Sequence, residues 1–231
     1  MKAAAYMGTR NLYKQMMVAA KSLIFNSDVD KVYLLIEDDE FPYELPDIVE
    51  TRNVSNQPYF DPQGPNYKSQ YTYMVMMKCA LFKEFPDLDR ILSLDVDTIV
   101  DKDISDLWNT RMDDFYFAAV KEPAQSTERF VYTNFGVVLF NLEKLRDGKG
   151  DEMIHILNTQ HHRWVEQDTS NLLCQCYICE LAPEYNVNPW TNMSVTPKIK
   201  HFAGRNDWDN TELYKKHDLL TWDEIMKRRK D

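Results

Sequence analysis

Apolar and polar positions come in alternating blocks through the first hundred residues. Residues 2–7 and 32–36 are short, mainly apolar runs bounded by polar or turn-forming residues, the pattern of buried strands, and 48–53 is expected as a short third strand. Between the first two, Met16, Met17, Ala20, Leu23 and Ile24 recur at helical spacing, which predicts a helix over 13–25. A second helical pattern covers 71–85 and stops ahead of Pro86, since proline disfavours the helical conformation in the residue before it. Residues 90–94 form the next strand. Strands and helices taking turns in this way predict βαβ units and a Rossmann-like, mostly parallel sheet flanked by helices, an α/β fold. The segment 55–67 holds three prolines and a glycine and reads as a loop long enough to be functional.

Further along, strands are expected at 115–120, 135–142, 177–181 and 198–202, and helices at 153–160 and 168–175. Residues 183–197 are irregular. The last helix, 221–229, opens with Thr221 and Glu224, the spacing of a capping box. Neither an internal repeat nor a linker interrupts the pattern, so residues 1–231 are expected to form one domain.

The strand at 90–94 runs into Asp95-Val96-Asp97 and then into a second apolar run, with no turn residue between. Side chains at i and i+2 of a strand share a face, so both carboxylates should project together from a buried strand end. Two such groups repel each other, and burying either without a partner is costly. A divalent cation relieves both problems, and hard ions such as Mg²⁺ or Mn²⁺ prefer oxygen ligands. A bare Asp-x-Asp is common, so the pair points to a metal without proving one.

The chain has a net charge of −10, with 44% hydrophobic and 28% charged residues. That is ordinary globular composition, and it argues against a nucleic-acid partner, which calls for a basic face. No apolar run is long enough to span a membrane, and the start of the chain is too short in apolar residues for a signal peptide. Cys174, Cys176 and Cys179 lie in an apolar stretch without a fourth ligand nearby and are expected to be buried, reduced thiols. Together these features suggest a cytoplasmic protein. Glycine-rich phosphate loops are lacking: the six glycines form neither a dinucleotide nor a P-loop motif.

Five segments, taken in order, resemble glycosyltransferase family 8. They are Ala4-Ala5-Tyr6 with Thr9, Asn11 and Tyr13; Lys78, seventeen residues before Asp95; the Asp95-Val96-Asp97 motif; Thr133-Asn134-Phe135-Gly136-Val137 and the apolar run after it; and Glu166-Gln167-Asp168 with His201-Phe202-Ala203-Gly204. The resemblance implies a GT-A fold and a retaining hexosyltransferase that uses UDP-glucose or UDP-galactose. Asp95, Asp97 and His201 would hold Mn²⁺ or Mg²⁺. Ala5, Tyr6, Thr9, Asn11, Tyr13, Lys78, Val96 and Gly204 would meet the nucleotide or its diphosphate. Asn134, Gln167 and Asp168 would face the sugar. The acceptor would be a hydroxyl on a glycan, lipid or small molecule.

Two departures from the family pattern stand out. A lysine usual after His-Phe-x-Gly is replaced by Arg205-Asn206-Asp207-Trp208, so Arg205 is the candidate substitute; Glu166 stands where an aspartate is usual. The aromatics Tyr59, Phe60 and Tyr67 are candidates for a sugar-stacking platform. Lys227 to Lys230 form a basic tip that could support weak peripheral membrane association, although a solvated helix end is the favoured reading. A metal-dependent nucleotidyltransferase, or a non-catalytic sugar-nucleotide binder on the same fold, is the competing expectation.

Overall fold

The computed structural model describes residues 1–229. Its centre is a seven-stranded mixed sheet built from β1 (Ala3–Met7), β2 (Lys31–Ile36), β3 (Val49–Asn53), β4 (Arg90–Leu94), β6 (Phe117–Lys121), β7 (Thr133–Asn141) and β8 (Ile178–Leu181), in the order β3-β2-β1-β4-β7-β6-β8. The β3-β2-β1-β4 half is parallel, β7 runs antiparallel to both neighbours, and β8 is parallel to β6. Two short strands, β5 (Thr98–Val100) and β9 (Ile199–His201), form a separate antiparallel pair.

The alternation along each strand divides the core in two. Ala3, Ala5 and Met7 of β1 join Leu35, Ile91 and Phe140 on one face. Ala4 and Tyr6 join Leu34, Leu92 and Leu139 on the other, under α1 (Tyr13–Phe25). Central strands covered on both faces read as unbroken apolar runs, as residues 3–7 do. Each fully buried Leu, Ile or Phe contributes roughly 1.5–3 kcal/mol, so the strand ends that reach the cleft are firmly held.

Three expectations change. The helical stretch 71–85 is broken into α2 (Thr72–Met76), a 3₁₀ turn (Met77–Ala80) and α3 (Leu81–Glu84). Asp95 to Asp97 form a turn, not a strand end: Thr98 returns both its N–H (3.1 Å) and its hydroxyl (2.7 Å) to the Asp95 carbonyl. The helix expected at 168–175 is α6 (Val165–Leu173), which takes Glu166, Gln167 and Asp168 into its first turn. The chain also forms α4 (Leu142–Leu145), α5 (Lys149–Thr159), α7 (Glu212–Asp218) and α8 (Trp222–Arg228), the last with the expected capping box.

Other surface expectations are revised too. Cys174 is buried, but Cys176 is exposed, in a turn with φ +70°, and Cys179 is half-buried. In the basic tip, Arg228 lies over the Phe25 ring and Arg229 donates to the carbonyls of Ser27 and Val29, so both turn back onto the protein; Lys230 lies outside the described residues. No helix among the described residues is long and apolar enough to cross a membrane.

Candidate functional site

The site lies at the carboxyl ends of the parallel strands, where open α/β sheets place their ligands. A cleft of about 720 Å³ opens there, within the range of small-molecule sites. Two irregularities of the sheet shape its charged end. The β6–β7 register jumps from Ala119–Val138 to Val120–Asn134, so Phe135, Gly136 and Val137 stand opposite no residue of β6. The Gly136 carbonyl turns instead to accept the Asp95 N–H at 2.9 Å. Such bulges commonly re-aim the chain beside active sites. β9 then pairs with β5 so that His201 sits opposite Thr98, which brings a histidine from far along the chain beside Asp97.

Asp95, Asp97 and His201 each offer a ligand atom within 4.8 Å of the others, and no other group of three or more His, Cys, Asp or Glu among the described residues does so. His201 Nε2 is 3.3 Å from Asp97 and 3.8 Å from Asp95. Burial alone would drive protons off the His201 ring and onto Asp97. Their mutual attraction prevails, holding the ring above and the carboxyl below its ordinary value. Glycine at 136 is obligatory for this packing, because a Cβ there would stand 2.1 Å from the His201 ring.

Lys78, on the 3₁₀ turn, is fully buried. Its ammonium group meets Asp95 at 2.6 Å, Glu166 at 3.2 Å and the Phe135 carbonyl at 3.0 Å, one acceptor for each hydrogen. Burial opposes its charge, but the two carboxylates outweigh that and keep it more basic than usual. Glu166 is pushed up to about 7 by burial, with Lys78 pulling the other way. Burial also raises Glu122, a second cleft carboxylate, which Gln125 and Asn134 steady by hydrogen bonds.

Of the expected residues, Thr9, Asn11, Lys78, Asp95, Val96, Asp97, Asn134, Gln167, His201 and Gly204 line the cleft. Gln167 is held from both sides: its oxygen accepts from the Phe135 N–H (2.9 Å) and its nitrogen donates to the Tyr132 hydroxyl (3.1 Å). Others sit elsewhere. Ala5 and Tyr6 are sealed within β1, where the Tyr6 hydroxyl donates to the Ala19 carbonyl. Tyr13 donates to Asp38. Asp168 accepts from Tyr132 and from the Trp164 N–H, fastening the start of α6 and not the cleft wall. Arg205 points to Asp207 at 3.1 Å. The expected platform is core instead: Phe60 is buried, Tyr59 and Tyr67 pack on the same cluster, and Asn66 and Asn158 pin the loop to the end of α5.

Several cleft residues carry no signal in the periodicity. Tyr71, Trp164 and Trp190 join Phe135 and Trp208 in the aromatic part of the lining, and Glu122 joins its acidic part. Tyr71 and Trp164 pack with ring centroids 6.1 Å apart. Each precedes a β-branched residue at positive φ, Thr72 (+59°) and Val165 (+36°), a strained conformation of the kind that gathers at functional sites. Asn186 and Asn188, in the irregular stretch before β9, support His201 from behind.

A family model described as glycosyl transferase family 8 matches residues 4–206. A Haemophilus influenzae protein described as a glycosyltransferase is 24% identical over 169 residues, covering 63% of this chain and 50% of its own length. The chain thus spans half the length of that relative. Among solved structures, the galactosyltransferase LgtC, in complex with donor and acceptor sugar analogues, superposes with a TM-score of 0.71 at 17% identity, over 98% of this chain and 99% of its own. The glycosyltransferase GlyE of Streptococcus pneumoniae gives 0.72 at 19% identity, over 98% and 63%. At such identities the likeness establishes the fold, which is GT-A.

Proposed function

This chain belongs to glycosyltransferase family 8, and from that premise we propose that it moves a hexose, glucose or galactose, from a UDP-sugar to a hydroxyl acceptor, with retention of configuration and dependence on Mn²⁺ or Mg²⁺. The observation that carries this reading is the charge at the cleft. Asp95, Asp97, Glu166 and Glu122 converge there, and Lys78 is already committed to two of them. A nucleoside diphosphate entering such a site would be repelled unless a cation came with it. The donor set fits one: two part-exposed carboxylates supply hard oxygen ligands, and an imidazole is a suitable third partner for Mn²⁺. A divalent ion bound there supplies Lewis-acid stabilisation of the departing diphosphate.

The chain's own residues do the rest. Lys78 fixes the position of Asp95 and adds positive charge beneath the phosphates. Thr9 and Asn11, hydrogen-bonded to each other at 2.6 Å, line the cleft beyond Gly8 where the nucleoside would lie. Gln167, locked by its two hydrogen bonds, presents a neutral amide towards the anomeric carbon. A retaining hydrolase would need a carboxylate nucleophile there. Gln167 supports front-face attack instead: the bond from C1 to the phosphate oxygen breaks, the bond from C1 to the acceptor oxygen forms on the same face, and the acceptor's proton passes to the phosphate oxygen. Tyr71, Trp164 and Trp190 offer apolar faces to the acceptor, a glycan, lipid or small molecule.

A thermal-shift series with UDP, UDP-glucose, UDP-galactose, GDP and ATP, each with and without Mn²⁺, tests the proposal. Stabilisation by a UDP-sugar only when Mn²⁺ is present supports it. A UDP response indifferent to metal, or none, contradicts it.

A further inference from the structure

Behind the His201 ring runs a line of side-chain amides that the chemistry above does not use. Asn186 and Asn188 are fully buried, and Asn134 and His201 nearly so. An amide can face either way, but a backbone N–H can only donate, and such donors fix this line at both ends. Gly136 N–H donates to Asn134 at 3.0 Å, so the atom it meets is the Asn134 oxygen. The Asn134 NH₂ group is thereby turned to Glu122, 2.7 Å away. Asn186 must then present its own NH₂ group to the Asn134 oxygen, at 2.8 Å. At the other end, the N–H groups of Trp190 and Thr191 donate to the Asn188 oxygen at 2.8 and 3.2 Å. The Asn188 NH₂ group is left to donate to the Asn186 oxygen at 2.8 Å; it also lies 3.3 Å from His201 Nδ1, a longer contact than the one Nδ1 makes with Asn186. Both ends agree that the Asn186 oxygen faces His201, 2.9 Å from Nδ1. Two lone pairs cannot meet at that distance, so Nδ1 carries hydrogen. Nε2 is the nitrogen beside Asp97 and Asp95.

We infer that Asn186 is a positioning residue for the metal site: anchored by Asn134 and Asn188, it keeps the His201 hydrogen on Nδ1 and reserves the Nε2 lone pair for a divalent cation shared with Asp95 and Asp97. The inference rests on the reading of those three residues as metal ligands. Partners on the far nitrogen of a ligating histidine commonly fix its tautomer and orientation, and their loss weakens metal binding about 10–100-fold. An amide suits the task here better than the carboxylate often found in that place, because the site already gathers four carboxylates. The same line of amides ends on Glu122, so the orientation of the metal-facing ring is tied to the acidic lining of the cleft.

The test compares Asn186→Ala with Asn186→Asp, reading free Mn²⁺ by electron paramagnetic resonance. The alanine variant is expected to bind Mn²⁺ about 10–100-fold more weakly, while the aspartate variant, which keeps an oxygen opposite Nδ1 but gives up the hydrogen donated to Asn134, loses clearly less than the alanine variant. Equal losses in both variants, or an alanine variant within about twofold of wild type, would overturn the inference. The ¹⁵N shifts of the His201 ring decide it without any variant. In the wild-type protein with Mg²⁺, or metal-free at alkaline pH, hydrogen on Nδ1 supports the inference and hydrogen on Nε2 alone overturns it. Should the wild-type chain bind no divalent ion, the ligand reading fails, and the metal-free ring spectrum still decides the tautomer.

Discussion

Lys78 is buried, with its three hydrogens directed at Asp95, Glu166 and the Phe135 carbonyl, whereas Arg205 is half-exposed and ion-paired with Asp207 two residues along its own loop. The two side chains carry the same charge and border the same end of the protein. What separates them is commitment. Lys78 cannot move without stranding the buried Glu166 carboxylate and releasing part-exposed Asp95, so its charge sets the shape of the site. Arg205 is partnered in solvent, where a pair contributes about 0–1 kcal/mol and can exchange freely. A rigid inner half and an exchangeable C-terminal flank follow from that difference.

Removing the inner cation should have the largest effect. Lys78→Met leaves Glu166 and Asp95 uncompensated and is expected to cost about 3–5 kcal/mol of stability in urea unfolding. A loss below about 1 kcal/mol would mean that the network relaxes as easily as a surface pair.

The flank has a buried group of its own. His217 on α7 is fully buried with neither ring nitrogen hydrogen-bonded among the described residues, and burial, helped by Lys216, lowers it to about 4. Folding therefore favours the neutral ring. Its contribution is complete above the unfolded value of about 6.5 and is lost as pH falls from there towards about 4, by roughly 3 kcal/mol at pH 4. Chemical denaturation at pH 7 and pH 4 should show this slope, and His217→Phe should flatten it. An unchanged slope would assign the acid sensitivity elsewhere.

Gly136→Ala tests the inner half at the ring. The new Cβ would stand 2.1 Å from His201, so the ring must swing out of line with Asp95 and Asp97. A stability cost of roughly 1–3 kcal/mol and a loss of about tenfold or more in Mn²⁺ affinity are expected from denaturation and metal titration. Wild-type Mn²⁺ affinity in that variant would show that the ring's position is not critical. The smallest effect belongs to Arg205→Ala, which should change UDP affinity by less than about twofold in calorimetry. A tenfold loss would mean that Arg205 abandons Asp207 for the diphosphate and that the flank completes the site.

The same division governs what the sequence alone reveals. The inner half was legible because its elements obey simple periods: the apolar runs became β1, β2 and β4, the 13–25 pattern became α1, and Asp95, Asp97 and His201 came together as expected. The Asp pair converges for a different reason than strand parity, since Thr98 closes a turn there that no glycine or proline announces. Asn186 and Asn188 lie in a stretch with no period, and their role depends on which backbone donors face them, a property of the folded chain only. Two asparagines one residue apart, flanked by Pro183 and Pro189, are the one trace they leave. Glu122 directly follows the strand that ends at Lys121 and belongs to no motif in the sequence. Arg205, expected at the diphosphate from its place after Gly204, is paired with Asp207 two residues away, because local partners win when neither side chain is held by packing.

The central claim is that the Asp95, Asp97 and His201 cluster holds the cation through which the donor binds. Calorimetric titration of UDP, with and without Mn²⁺, into the wild-type protein and Asp97→Asn tests it most directly. The account predicts Mn²⁺-dependent UDP binding by the wild type, its loss in the variant, and nearly unchanged thermal unfolding. Full metal-dependent UDP binding by Asp97→Asn would contradict the account.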